Sequence, residues 1–131
     1  MAQSIFPGWR FQGADAVAAF GLHGALLVGK PMTITKKADN LRAALQAVSL
    51  TLHCDGSKID RGNGSNVLGS PLTALRHLVD MLADDKFNPP LAAGEIVTTG
   101  TLTRAFPVAA GETWTTELSG VPLDDIAIGF E

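Results

Sequence analysis

With 131 residues and 13.7 kDa, the chain is long enough for one domain, residues 1 to 131, whose folding would take roughly two thirds of its unfolded surface out of water. Ten Lys and Arg against thirteen Asp and Glu leave a net charge of -3, and the basic residues are scattered apart from Lys36-Lys37, which argues against nucleic acid as a partner. A hydrophobic fraction of 46% beside 18% charged residues is rich for a small soluble protein, so a homo-oligomer or a complementary chain is expected to cover some apolar surface. The apolar run Gly24 to Gly29 is too short to cross a bilayer, and residues 1 to 12 lack the order of a signal peptide, so no membrane association and a cytoplasmic location are expected. Cys54 stands alone, so no intrachain disulfide can form, and a harmless thiol is the simpler reading of it than a nucleophile.

Residues 1 to 13 carry Pro7, Trp9 and Phe11 among glycines and polar residues, the pattern of an irregular entry that packs aromatic groups. Asp15 suits the cap of a short helix through Phe20. Gly24-Ala25-Leu26-Leu27-Val28-Gly29 reads as a short buried strand, and the polar run Lys36 to Asn40 as a surface connection. From Asn40, Leu41 to Ala47 has helical propensity, whereas Val48, Leu50 and Leu52 alternate with Ser49, Thr51 and His53, so a strand is expected in the second half. Asp55-Gly56 is a strong hairpin signal, with Ile59 on the returning strand.

The densest glycine loop, Gly62 to Gly69, runs into a helix with a full start signal: Ser70 can cap and Pro71 fits the first helical position. Leu72, Leu75, Leu78, Val79 and Leu82 form its apolar stripe, with Arg76 and Asp80 four apart elsewhere on its surface. The glycines either shape a tight connection or hold backbone N–H groups toward a ligand. Val67 stands where a dinucleotide fingerprint needs its last glycine, and GxxxxGSP lacks the lysine of a phosphate loop.

Asn88-Pro89-Pro90 stops any helix, Gly94-Glu95 turns, and Ile96 to Leu102 is β-branched with Gly100 interrupting it. Trp114, Thr116 and Leu118, then Ile126, Ile128 and Phe130, repeat with a period of two. The expected class is α+β: a mostly antiparallel β-roll or small barrel with one main helix. If a missing partner normally covers these strands, Val48, Leu50, Trp114 or Ile128 would be left at open apolar edges or faces.

The candidate chemistry is sparse. His23, His53 and His77 are widely separated and no HxH or HExxH spacing occurs. Ser65 has no nearby base and no GxSxG frame. The adjacent pairs Asp84-Asp85 and Asp124-Asp125 read as loop charges rather than a hard-cation site. Thr98-Thr99-Gly100-Thr101 either lets a carboxylate or carbonyl approach hydroxyls beside a glycine or is simply a good strand sequence.

In their order along the chain, Gly62-Asn63-Gly64-Ser65, Leu68 to Leu72 and Leu91 to Gly100 resemble the C-terminal half of the 2-keto-4-pentenoate hydratase and 4-oxalocrotonate decarboxylase family of the fumarylacetoacetate hydrolase superfamily. The resemblance extends from Trp9 and Asp15 to Gly111-Glu112 and the Phe130 strand. It implies a fold of that kind, a small 2-oxo acid ligand handled through its enolate, and magnesium or manganese as the cation. The family's metal glutamates, in an ExE motif and a third position, and its lysine precede the matched segment; no ExE occurs here, so no metal ligand is assigned to this chain. The resemblance places Ser65, Thr99 and Gly100 at the substrate, with Asp15 and Ser70 as further possible pocket residues. Ala19 and Phe20 replace polar residues often found after the Asp15 position. Three readings follow: a hydratase- or decarboxylase-like lyase whose metal ligands lie elsewhere, a non-catalytic binding or assembly module, and one half of a protein whose other half is encoded separately.

Overall fold

A computed structural model describes residues 1–34 and 38–131; Lys36-Lys37 and the start of the polar run to Asn40 lie outside the described residues. The chain forms two compact units, Met1–Pro31 and Met32–Glu131.

In the first unit, a 3₁₀ turn at Pro7–Trp9 leads to helix α1, Gly13–Ala18, and to a second 3₁₀ turn at Phe20–Leu22. Asp15 serves α1 from its third position rather than as the cap itself: Gln12 is the N-cap, and its N–H donates to the Asp15 carboxylate at 2.8 Å in a capping box. Phe6, Trp9 and Phe11 form the expected aromatic cluster, with Phe11 5.8 Å from Phe6 and 6.5 Å from Trp9 between ring centres. The run Gly24 to Gly29 is not a strand, and Leu26, Leu27 and Val28 are exposed. A short apolar run becomes a strand only against a partner, and the described residues of this unit contain none.

In the second unit, helix α2, Ala38–Ala47, passes through Val48 into strand β1, Ser49–Cys54, the division expected from the change of period. Asp55 and Gly56, with φ of 49° and 76°, make a left-handed hairpin turn into β2, Ser57–Asn63. After the glycine loop comes the main helix α3, Pro71–Asp84, and later strands β3, Thr113–Ser119, and β4, Ala127–Gly129. The four strands form one open antiparallel sheet in the order β2-β1-β3-β4. The class is therefore α+β, antiparallel, with one main helix.

Helix α3 forms for the reasons its sequence gives. The Ser70 hydroxyl accepts from the Leu72 N–H at 3.3 Å, Pro71 fills the first turn, and Arg76 and Asp80 pair across one turn at 3.5 Å. Past its end, the Asp85 carboxylate gathers the N–H groups of Phe87 and Asn88 and the Asn88 side-chain amide, which hold its pKa below the ordinary carboxylate value and close the helix before the prolines.

Strand pairing sorts the sheet into two faces. Leu50 opposes Leu118, Leu52 opposes Thr116, Cys54 opposes Trp114, and Trp114 opposes Ile128, so these residues share one largely apolar face. Ser49, Thr51 and His53 oppose Ser119, Glu117 and Thr115 on the other, where the Ser49 and Ser119 hydroxyls bond at 2.7 Å. No helix is laid broadly across either face among the described residues, and the apolar face stays half-exposed throughout. Leu50, Trp114 and Ile128 are thus partly uncovered as expected, whereas Val48, at 4% exposure, is not.

Burial concentrates instead around the glycine loop. Val48, Val67, Ser49 and Ser70, with Gly62 and Gly64, are the buried residues of this unit. The chain as a whole exposes 9923 Å². A folded monomer of this mass exposes about 6,600 Å² and its unfolded chain about 19,900 Å². About half of the unfolded surface is removed from water rather than the two thirds anticipated from size.

Candidate functional site

Gly62 and Gly64 are glycines because other backbone occupies the space of their missing side chains. A Cβ on Gly62 would run into the Leu102 carbonyl, and one on Gly64 into the Leu45 carbonyl. Gly69 and Leu68 adopt left-handed φ of 82° and 48°, turning the chain into the Ser70 cap. The tight-connection reading of the loop is therefore correct at these positions. The N–H groups of Gly64, Val67, Gly69 and Ser70 bond to Val48, Gly64, Ser65 and Val67 carbonyls, so these four do not face a ligand as the alternative required.

The loop nevertheless meets the threonine-glycine segment. Gly100 lies against Val67, where an added Cβ would stand 3.6 Å from a Val67 methyl. Asn66 donates its side-chain amide to the Leu102 carbonyl at 2.9 Å, and the Asp60 carboxylate accepts from the Arg104 N–H at 3.1 Å and its guanidinium at 3.4 Å. The Arg104 and Arg61 backbone N–H groups hold the Asp60 carboxyl below its ordinary pKa. Residues 96–102 form no strand, contrary to their β-branched composition, because side chains of the loop and of β2 take the polar backbone atoms of 102 and 104.

The expected site residues are distributed as follows. Ser65 is exposed within the 3₁₀ turn Gly64–Asn66, and Gly100 lies beside that loop. Thr99 is half-buried and opens on a cleft of about 510 Å³. One side of this cleft is the start of α3 at Pro71, Leu72 and Leu75; the other is Leu91, Ala92, Glu95, Val97 and Thr99. Glu95 was not singled out by its sequence context beyond a turn; its carboxylate accepts the Ala92 N–H at 2.7 Å and is fixed there. Ser70 is buried with its hydroxyl engaged as the α3 cap, and Asp15 belongs to the first unit, engaged with Gln12. A second hollow of about 290 Å³, walled by Met32, Ile34, Leu41, Ala44 and Pro122, contains no titratable side chain.

The donor set for a cation does not fit. Among the described residues no group of three or more His, Cys, Asp and Glu side chains converges. Cys54 is no better as a nucleophile, because burial, then the nearby Glu112 and Asp55 carboxylates, push its thiol pKa up. Glu112 is itself engaged by the Trp114 indole N–H at 2.9 Å and the Ala109 N–H at 2.8 Å. No helix among the described residues is long and apolar enough to cross a membrane.

Comparison with known proteins agrees with this architecture. The family model described as fumarylacetoacetate (FAA) hydrolase C-terminal matches residues 7–126. A 2-keto-4-pentenoate hydratase of Paraburkholderia phymatum is 33% identical over 113 residues, which are 86% of this chain and 40% of that protein. A 4-oxalocrotonate decarboxylase of Pseudomonas sp. (strain CF600) is 31% identical over 77 residues, 59% of this chain and 28% of that protein. The solved 4-oxalocrotonate decarboxylase from Pseudomonas putida G7, complexed with magnesium and adipate, superposes with a TM-score of 0.79 at 24% identity over 99% of this chain and 46% of that one, a likeness of fold. The chain spans about 40% of the length of the curated hydratases it matches.

Proposed function

Because the chain belongs to the fumarylacetoacetate hydrolase C-terminal family, we propose that it forms one wall of a pocket for a small 2-oxo acid in a hydratase- or decarboxylase-like lyase. The observation that carries this reading is the junction of the glycine loop with residues 99–102, which brings Ser65, Thr99 and Gly100 to the region of one cleft. The relatives' names support the chemistry: they are hydratases of 2-keto-4-pentenoate and a decarboxylase of 4-oxalocrotonate. Within this chain the Thr99 hydroxyl would donate to an oxygen of the acid, and the absence of a side chain at Gly100 would let the acid approach the backbone.

Magnesium or manganese remains the cation that family membership suggests, but the carboxylates to hold it are not among the described residues of this chain. We assign them to polypeptide beyond these 131 residues, in the same cytoplasmic assembly. Two features support that assignment. The apolar face of the sheet is half-exposed, and the chain exposes 9923 Å² where a monomer of its mass exposes about 6,600 Å². The excess is larger than one partner's share of a standard protein–protein interface, about 800 Å². The alternative, a binding module without catalysis, shares the same pocket wall and differs only in turnover.

The test is reconstitution. The purified chain is mixed with the region of the Paraburkholderia phymatum hydratase outside the matched segment, and consumption of 2-keto-4-pentenoate is followed with magnesium or manganese present. Turnover by the mixture and none by either part supports the lyase reading. A stable mixed complex that binds the acid without turnover supports the module, and a complex that neither binds nor turns over the acid overturns both.

A further inference from the structure

The cleft beside Thr99 is asymmetric in a way that bears on which acids it takes. Its walls are the hydrocarbon side chains of Leu72, Leu75, Leu91 and Val97, and no Lys, Arg or His lines it. Glu95, Val97 and Thr99 all line it, the alternate-residue pattern of an extended run with one side turned to the cleft. In such a run the backbones of Thr99 and Glu95 stand at most about 13 Å apart. At the Glu95 end sits a carboxylate fixed by the Ala92 N–H at 2.7 Å, with no basic partner among the described residues.

A six-carbon 2-oxo acid is about 6–7 Å long from its first to its last carbon. With its oxo-acid head at the Thr99 hydroxyl, its tail crosses Val97 and the leucines and stops about 6 Å short of Glu95. A methyl terminus there leaves only apolar walls and meets no penalty. A second carboxylate there meets a fixed like charge, no basic group, and surroundings that solvate it poorly. We infer that Glu95, with the leucine walls, makes this pocket selective for monocarboxylic 2-oxo acids with a short hydrocarbon tail and against dicarboxylic ones. Glu95 is a specificity determinant in this account and takes no part in bond making. The inference rests on the pocket reading above and extends it to the far end of the ligand.

The experiment uses the full chain with isotope-labelled methyl and amide groups, titrated separately with 2-oxohexanoate and 2-oxoadipate at neutral pH. 2-Oxohexanoate should shift the methyl signals of Leu72, Leu75, Leu91 and Val97 together with the Thr99 amide. 2-Oxoadipate should bind about tenfold more weakly, the ratio for like charges about 6 Å apart at an effective dielectric of about 40. Glu95→Gln keeps a carbonyl for the Ala92 N–H and removes the charge; it should bring the two acids to within about twofold while leaving 2-oxohexanoate binding unchanged. Equal binding of the two acids to the unaltered chain, a preference that survives Glu95→Gln, or signals that move away from the cleft would overturn the inference. Absence of shifts with both acids overturns it too, whereas the pocket reading itself stands or falls on the reconstituted turnover.

Discussion

Replacing Gly62 by Ala tests the junction on which the site depends. The added methyl would fall on the Leu102 carbonyl, so residues 102 and 103 must retreat from β2 by an ångström or more, about the deficit to ordinary van der Waals contact. Overpacking of this kind costs about 1–3 kcal/mol, and loss of the 2.9 Å bond from Asn66 to Leu102 adds about 1 kcal/mol. The sum of about 2–4 kcal/mol would lower a urea midpoint by on the order of 1–2 M. Gly129→Ala is the control, since nothing lies within 4 Å of its Cβ position and its φ is not left-handed; it should change stability by less than about 0.5 kcal/mol. Amide exchange gives the local readout: Arg104, bonded to Asp60, should lose protection in Gly62→Ala and keep it in Gly129→Ala. A Gly62→Ala chain with an unchanged midpoint and a protected Arg104 amide would refute the close-approach account of the loop.

Ser70→Ala should lower stability by about 1 kcal/mol, because the Leu72 N–H loses its acceptor at the start of α3; thermal unfolding measures it, and an unchanged midpoint would remove Ser70 from the cap role. The Asp60 link should depend on pH in a definite direction. Arg104 and Arg61 N–H bonds depress the folded-state pKa of Asp60, so the link contributes fully above the unfolded carboxylate value of about 3.9 and is lost as pH falls through the lower folded value. The Arg104 amide signal followed from pH 6 downward should therefore titrate below about 3.9, and a midpoint at or above that value would contradict the assignment.

Much of the fold was legible because its signals are local. Ser70-Pro71 followed by leucines at helical spacing gave α3 to its first residue, and Asp55-Gly56 gave the hairpin, since a left-handed two-residue turn has few sequences that suit it. The change from Leu41–Ala47 to Val48–Leu52 marked the passage from α2 to β1. The failures were the segments whose structure depends on a neighbour. Gly24 to Gly29 and Ile96 to Leu102 have strand composition but pair with no strand among the described residues, and sequence composition does not say whether a partner is near. At the site, Thr99, Gly100 and Ser65 were legible through the family motif, and the proximity of their segments is a tertiary fact. The internal bonding of the Gly64, Val67, Gly69 and Ser70 N–H groups depends on where Val48 arrives and on the loop's own turns, which glycine spacing cannot encode. Glu95 was overlooked because a Gly-Glu turn signals only a change of direction, while its place in the cleft comes from α3 lying opposite.

The account claims that this chain carries one wall of a 2-oxo-acid pocket and that the cation-holding wall is separate polypeptide. The most direct measurement is turnover of 2-keto-4-pentenoate by the chain mixed with the unmatched region of the Paraburkholderia phymatum hydratase, using the natural chain and Thr99→Val in parallel. The account predicts turnover from the natural mixture, none from either part alone, and a strong loss with Thr99→Val while the mixed complex still forms. Turnover by the isolated chain, or full activity of the Thr99→Val mixture, would contradict it.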